Sequence, residues 1–346
     1  MLSQRTAKTV MDNEILYQTG QEHCYDQDGR QIACPGTGQD AEHRYGRAWP
    51  APRFAAAGAV VHDHLTGLSW TKDANIHQYP LAWDEAFALV GHLNRSGHGG
   101  FCDWRLPNRR ELASLLSYQS KRPVLPASHP FINVFPGWYW TSTTASINTR
   151  YAWAVHMDGA RMFYGAKNQE YLLWPVRGVS EVLLRTGQSH SYSSSGQEVR
   201  SAGSGQDGEE QIGRSWPQPR FIDHESFVID LLTGLHWHKQ AAVSTEPVTW
   251  QESLSLIAEM NTRQYLDITT WQLPNITMLE SLVDCSCHSP ALPAGHCFHD
   301  VQDTYWSSTT SYFATDWAWA LYLEKGAVGV GYKKETNFFF WPVAVF

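Results

Sequence analysis

Almost every recognisable block in this 346-residue chain occurs twice, at a nearly fixed spacing. GRAWPAPRF at 46–54 returns as GRSWPQPRF at 213–221, LTGLSW at 65–70 as LTGLHW at 232–237, and WRLPN at 104–108 as WQLPN at 271–275. YWTSTT at 139–144 returns as YWSSTT at 305–310, and LLWPV at 172–176 as FFWPV at 339–343. The offset is 167, falling to 166 over the YW block and the WAV/WAL pair after it; one residue is lost before that block and regained in the hairpin that follows. A fixed period with almost no gaps marks a tandem duplication, and it obliges the chain to build one unit twice. The copies, 14–178 and 181–346, each have the length of an ordinary domain. Their junction is short, which predicts close-set domains with limited relative motion.

The duplication doubles as a two-row alignment. Sixteen Trp are an unusual load, but fourteen fall into pairs: Trp49/216, Trp70/237, Trp83/250, Trp104/271, Trp140/306, Trp153/319 and Trp174/341. Paired indoles are expected to be scaffold, since large rings are mostly buried. Only Trp138 and Trp317 lack a partner. Composition removes several classes. With 26 Lys+Arg against 34 Asp+Glu and no basic run, phosphate-driven nucleic-acid binding is not expected. An apolar content of 42% and 13% aromatics argue against disorder. The longest apolar run, 338–346, is about half of what a membrane span needs and is broken by Pro342. The opening MLSQRTAKTV has basic residues without an apolar core, unlike a secretory signal. The expectation is therefore either a cytoplasmic protein or one whose leader was removed or replaced.

Within one copy, β-branched residues flank Thr66-Gly67 and predict a hairpin over 59–70. Trp83, Ala86, Phe87, Val90 and Leu93 share one helical face, and Thr249 with Glu252 forms a capping box at the equivalent start in copy two. Asn108 with Glu111 opens a second, short helix, with Leu112, Leu115 and Leu116 inward. Asp158-Gly159 is a hairpin turn between 151–157 and 160–167, and 171–176 closes the copy. The fold class is α+β: two tandem domains, each with two helices set apart from a twisted antiparallel sheet.

WRLPN with Glu111-Leu112, YWTSTT, WAV followed by Asp158-Gly159, and the closing WPVRG resemble the Lcl C-terminal domain family. The upstream CYDQDGRQIAC, GTGQDAE, WPAPRF and LTGLSW blocks resemble the common N-terminal half of such bacterial proteins. The resemblance covers nearly all of both copies. It implies a C-type-lectin-like fold, related to that of formylglycine-generating enzymes, in mostly secreted or surface-attached proteins that bind polysaccharides or partner proteins. Copy two departs from the pattern, with Ala344 in place of Arg177 and Met278 in place of Glu111.

Cys24 and Cys34 are both replaced by serine in copy two, at Ser191 and Ser201, as a functional pair would be. A disulfide closing the loop is expected, which favours an oxidising compartment; two free thiols are the alternative. Asp26 and Asp28 before Gly29 are a calcium-loop-like fragment, too short alone for a site that needs six or more oxygens. Copy two alone carries Cys285, Cys287, His288, His296, Cys297 and His299 within fifteen residues. Thiolates and imidazoles suit zinc, but the spacing matches no standard motif, and a local disulfide through Cys297 or free thiols are the alternatives. No cofactor is expected, with calcium and zinc as minor alternatives.

No nucleophile–base–acid set, phosphate loop or carboxylate pair recurs in both copies, so no enzyme activity is expected. The family's fold relationship leaves open oxygen-dependent cysteine chemistry, which needs a pair of reactive thiols in a groove. Asp63/Asp230 persists beside a hairpin and reads as a turn residue. The copies differ most in their C-terminal strands and loops, where ligands meet a lectin-like fold. Copy one offers Trp138, Arg150, Tyr151, His156, Arg161, Tyr164 and Lys167; copy two offers Trp317, Tyr322, Tyr332 and Lys333. Such side chains make rigid, partly polar contacts, although alternation must turn about half of them inward. The expected function is recognition or adhesion toward a glycan or protein partner, at the cell surface or in the periplasm. A structural subunit of a larger bacterial assembly is the alternative, and the oligomeric state stays open.

Overall fold

The computed structural model describes residues 15–346; Glu14 and the MLSQRTAKTV segment lie outside them. Copy one begins with an arm holding strands β1 (Cys24–Tyr25) and β2 (Gln31–Ile32) and a short helix α1 (Asp40–His43). There follow β3 (Phe54–Ala57), β4 (Val60–Asp63), β5 (Ser69–Thr71), helices α2 (Trp83–Ser96) and α3 (Arg109–Ala113), then β6 (Trp138–Thr144), β7 (Tyr151–His156), β8 (Met162–Ala166) and β9 (Val176–Arg177). Copy two repeats the order. Its arm holds β10 (Ser191–Tyr192), β11 (Glu198–Val199) and α4 (Asp207–Glu210), followed by β12 (Phe221–Asp223), β13 (Phe227–Asp230) and β14 (His236–His238). Helix α5 (Trp250–Thr262), β15 (Trp271–Gln272), α6 (Ile276–Ser281), β16 (Thr304–Thr310), β17 (Trp317–Tyr322), β18 (Ala327–Tyr332) and β19 (Val343–Ala344) complete it. The protein is thus mixed helix and antiparallel sheet, with few helices and one unit built twice.

Local chemistry explains the repeated elements. Asn108 accepts from the Glu111 amide at 2.9 Å while the Glu111 carboxylate accepts from the Asn108 amide at 2.8 Å, starting α3. The same carboxylate forks onto Arg105. Copy two has Met278 and Gln272 at these positions, so Asn275 caps α6 without the reciprocal bond. Buried Asp63 accepts from Arg53 at 3.1 and 3.0 Å, from the Leu65 amide and from the Thr66 hydroxyl. Asp230 repeats this with Arg220, Leu232 and Thr233. This aspartate ties a turn to a buried guanidinium. Twelve of the fourteen paired indoles are buried, and Trp49 and Trp216 are half-buried. Even their bonds repeat: Trp83 and Trp250 donate to Thr141 and Ser307, and Trp140 and Trp306 to Leu81 and Val248.

The copies share one sheet. Its order is β16-β17-β18-β8-β7-β6, with β18 antiparallel to β8 at Val328 and Met162. These two residues are equivalent at offset 166, so an approximate twofold axis passes between them. The 166 offset extends to Lys167/Lys333, and the extra residue is regained in the turn after Lys333 rather than in the β7–β8 hairpin. One hydrophobic core runs through both copies, with a satellite core in each beneath α2 or α5.

The arms cross over. Gln21 makes two amide bonds to the Thr310 backbone, at 2.7 and 2.8 Å, and Gln188 does the same to Thr144, at 2.9 and 2.7 Å. Asp40 accepts from Thr309 at 2.6 Å, and Asp207 from Thr143 at 2.6 Å. Lys333 donates to the carbonyls of Tyr25 and Asp26, and Lys167 to those of Tyr192 and Ser193. Each copy therefore grips the other's arm, and the packed unit does not coincide with the sequence repeat. Lys167 and Lys333, offered by the sequence as ligand-facing, are buried at 1% and 0% exposure over the rings of Trp83 and Trp250. Their ammonium groups are occupied by the arms, and burial pushes both down to about 7.

One asymmetric ion-pair set and one repeated buried carboxylate cross the interface. Glu280 pairs with Arg109 and Arg110, each at 3.3 Å. The equivalents of the arginines are Ile276 and Thr277, and that of Glu280 is Ala113. Glu280→Ala leaves two buried guanidiniums without their counter-charge, and stability should fall by about 3–5 kcal/mol, read as a lower urea midpoint. Burial raises the Asp207 carboxyl to about 6, against the hydroxyl bonds from Thr143 and Thr186. The folded chain then binds this proton more tightly than the unfolded one, so ionisation lowers stability as pH rises from about 4 to 6. Asp207→Asn removes that slope. Its stability relative to the parent should increase across this window, and a constant difference in urea unfolding would contradict the assignment.

Candidate functional site

The twofold arrangement places the tip of each long hairpin beside the outer strands of the other copy. At one of these junctions the surface opens into a cleft of about 400 Å³. His156, Asp158, Gly159 and Arg161 from the β7–β8 hairpin form one side. Ser311, Phe313, Ala314 and Trp317 from the β16–β17 connection form the other, with Val330 of β18 between them. Three sequence candidates, His156 and Arg161 from one hairpin of copy one and Trp317 from copy two, thus meet across the boundary between the copies.

The walls are held from behind. Trp317 is 37% exposed, and its ring lies 5.7 Å from that of Tyr332. Phe313 lies under the Arg122 guanidinium at 5.3 Å, and Arg122 is paired with Asp158 at 2.8 Å. Arg161 is exposed, and among the described residues its guanidinium has no ion-pair partner. Burial, then the charge of Arg161, pushes His156 below the usual imidazole range, which favours the neutral ring at pH 7. Trp138 is the cross-strand partner of His156 and is half-buried between it, at 4.7 Å, and Tyr171, at 6.0 Å. The cleft offers an indole, a phenyl ring, an aliphatic floor and one free positive charge.

The junction related by the twofold axis carries aromatic rings instead. Tyr164 stands where Val330 stands, and Tyr151 where Trp317 stands. Their rings are 5.7 Å apart, and Tyr164 also abuts Trp153 and Phe163. The remaining candidates do not join the cleft. Tyr322 packs on Phe338 and donates to the Val330 carbonyl at 3.1 Å, while Arg150 reaches the Ser195 carbonyl on arm two at 3.2 Å. Phe313 and Val330 were overlooked by the sequence reading. The signal lay in the alignment itself, since a valine facing a tyrosine between copies marks missing volume.

Cys24 and Cys34 form the disulfide. Cys102, Cys285, Cys287 and Cys297 are free thiols, so Cys297 has no disulfide partner. Cys285 is buried at the position of Tyr118 and raised to about 12 by burial. Among the described residues no group of three or more His, Cys, Asp or Glu is placed to hold a metal, so Cys285, Cys287, His288, His296, Cys297 and His299 do not converge. Asp26 accepts from the amides of Asp28 and Arg30, and Asp28 is paired with Lys334.

The family model for the Lcl C-terminal domain matches residues 59–177 and again 226–344, together more than two thirds of the chain. Each crossing arm lies outside the matches, upstream of the one in its own copy. No curated protein and no solved structure matches the chain.

The difference between the two junctions is testable. Val330→Tyr should place a ring in the cleft as Tyr164 does in copy one, with stability changed by no more than about 1 kcal/mol. Thermal unfolding and a crystal structure of the variant check both parts.

Proposed function

We propose, for a chain that belongs to the Lcl C-terminal domain family and carries that domain twice, that it is a non-catalytic recognition or adhesion module. Its ligand is a glycan or a protein partner, met by the divergent strands and loops of the C-terminal halves. The observation that carries this reading is the cleft between the copies, where Trp317, Phe313 and Arg161 face one opening. An exposed indole supplies a flat apolar face for a sugar ring or a side chain, and a guanidinium at the rim orients a polar group. In this reading each domain has a C-type-lectin-like fold. The protein works outside the cytoplasm, in the periplasm or at the cell surface, in keeping with the Cys24–Cys34 disulfide.

A glycan array and a pull-down on the full chain test the proposal, with Trp317→Ala and Arg161→Ala as controls. Each substitution should weaken the captured ligand by about tenfold or more while leaving the unfolding temperature in place. Binding that survives both substitutions excludes the cleft. A stoichiometric partner insensitive to sugars and to both variants would instead identify a structural subunit docked in a larger assembly.

A further inference from the structure

The loop closed by the disulfide touches the connection that forms one wall of the cleft. The carbonyl of Gly29, inside the loop, accepts from the Thr315 hydroxyl at 2.8 Å. The approach is close enough that a Cβ on Gly29 would lie 2.8 Å from the Asp316 amide nitrogen. Asp28 pairs with Lys334, and Lys333 donates to the carbonyls of Tyr25 and Asp26. Thr315 and Asp316 belong to the connection that carries Phe313 and Trp317. That connection has few bonds of its own, chiefly Ser311 N–H to the Trp317 carbonyl at 2.9 Å and Trp317 N–H to the Ala314 carbonyl at 3.0 Å. The opposite arm grips copy one in the same way, Gly196 accepting from Thr149 at 2.7 Å and Ser195 from Arg150 at 3.2 Å. There Ser191 and Ser201 replace the cysteines. The covalent staple is found only on the side where the cleft is open.

We propose that the Cys24–Cys34 loop is the positioning element for the Trp317 wall, so that the order of the cleft depends on the oxidation state of this disulfide. The inference rests on the recognition role assigned to the cleft. A dithiol reductant supplies two electrons and two protons, converting the disulfide to two thiols while closing its own. The freed loop gains conformations that the staple removed, and the carbonyls of Gly29, Tyr25 and Asp26 hold residues 315–316 and Lys333 less well. The counterpart connection at 145–151 has no disulfide behind it and is indifferent.

Hydrogen exchange on the full chain, with and without dithiothreitol, tests this without any ligand, so its outcome is independent of the binding assays. Amides at 311–317 should exchange about 10- to 100-fold faster after reduction, the range set by opening an eleven-residue loop, while those at 145–151 stay unchanged. The Cys24→Ser/Cys34→Ser variant should show the same difference without reductant. Equal protection of 311–317 in both states overturns the proposal, as does parallel loosening of 311–317 and 145–151.

Discussion

The antiparallel contact of β8 with β18, at the equivalent residues Met162 and Val328, organises the molecule. It joins two three-stranded sheets into one of six and places the axis that relates the copies. Across that axis each arm lies against the other copy. Their polar groups are buried in doing so and meet specific partners: Gln21 and Gln188 backbone, Asp40 and Asp207 threonine hydroxyls, the carbonyls at the tips lysines. These bonds favour one arrangement, because any alternative leaves more of the buried groups unpaired than the second carboxylate oxygen of Asp207, which has no hydrogen-bond partner among the described residues.

Duplication created two equal units, and divergence has made their union directional. Glu280 answers Arg109 and Arg110 across the interface, and neither side is repeated at its equivalent position. The rings beneath them diverged too: Tyr118 packs edge-on against Trp319, whereas the Arg109 guanidinium covers Trp153 at 4.1 Å and small Cys285 stands where Tyr118 would be. Two identical units would bring like charges together without a carboxylate between them. The same drift acted on the surface. Tyr164 sets a ring at one junction, and Val330 lines the cleft at the other.

Much of this was legible without coordinates. The fixed spacing of the repeats, the Asn108–Glu111 and Thr249–Glu252 caps, the Thr66-Gly67 turn, the scaffold role of the paired indoles and the Cys24–Cys34 pair all express local chemistry or repetition, and the structure bears them out. Lys167 and Lys333 misled. Lysine is rarely buried, and nothing near them in sequence signals that the carbonyls of a distant arm await their protons. In the cysteine–histidine cluster, a minor alternative for zinc in the sequence, closeness along the chain does not aim side chains at one point, and Cys285 turns into the core.

The sequence by itself determined the unit, its duplication, its caps, its turns and its buried rings, because each depends on residues near in the chain or on periodicity. Only the tertiary structure decided which arm serves which copy, which divergent residues share an opening, and that His156 and Arg161 meet Trp317 there. Those depend on one pairing between strands more than 160 residues apart, and a choice between packing within a copy and across copies leaves no local trace.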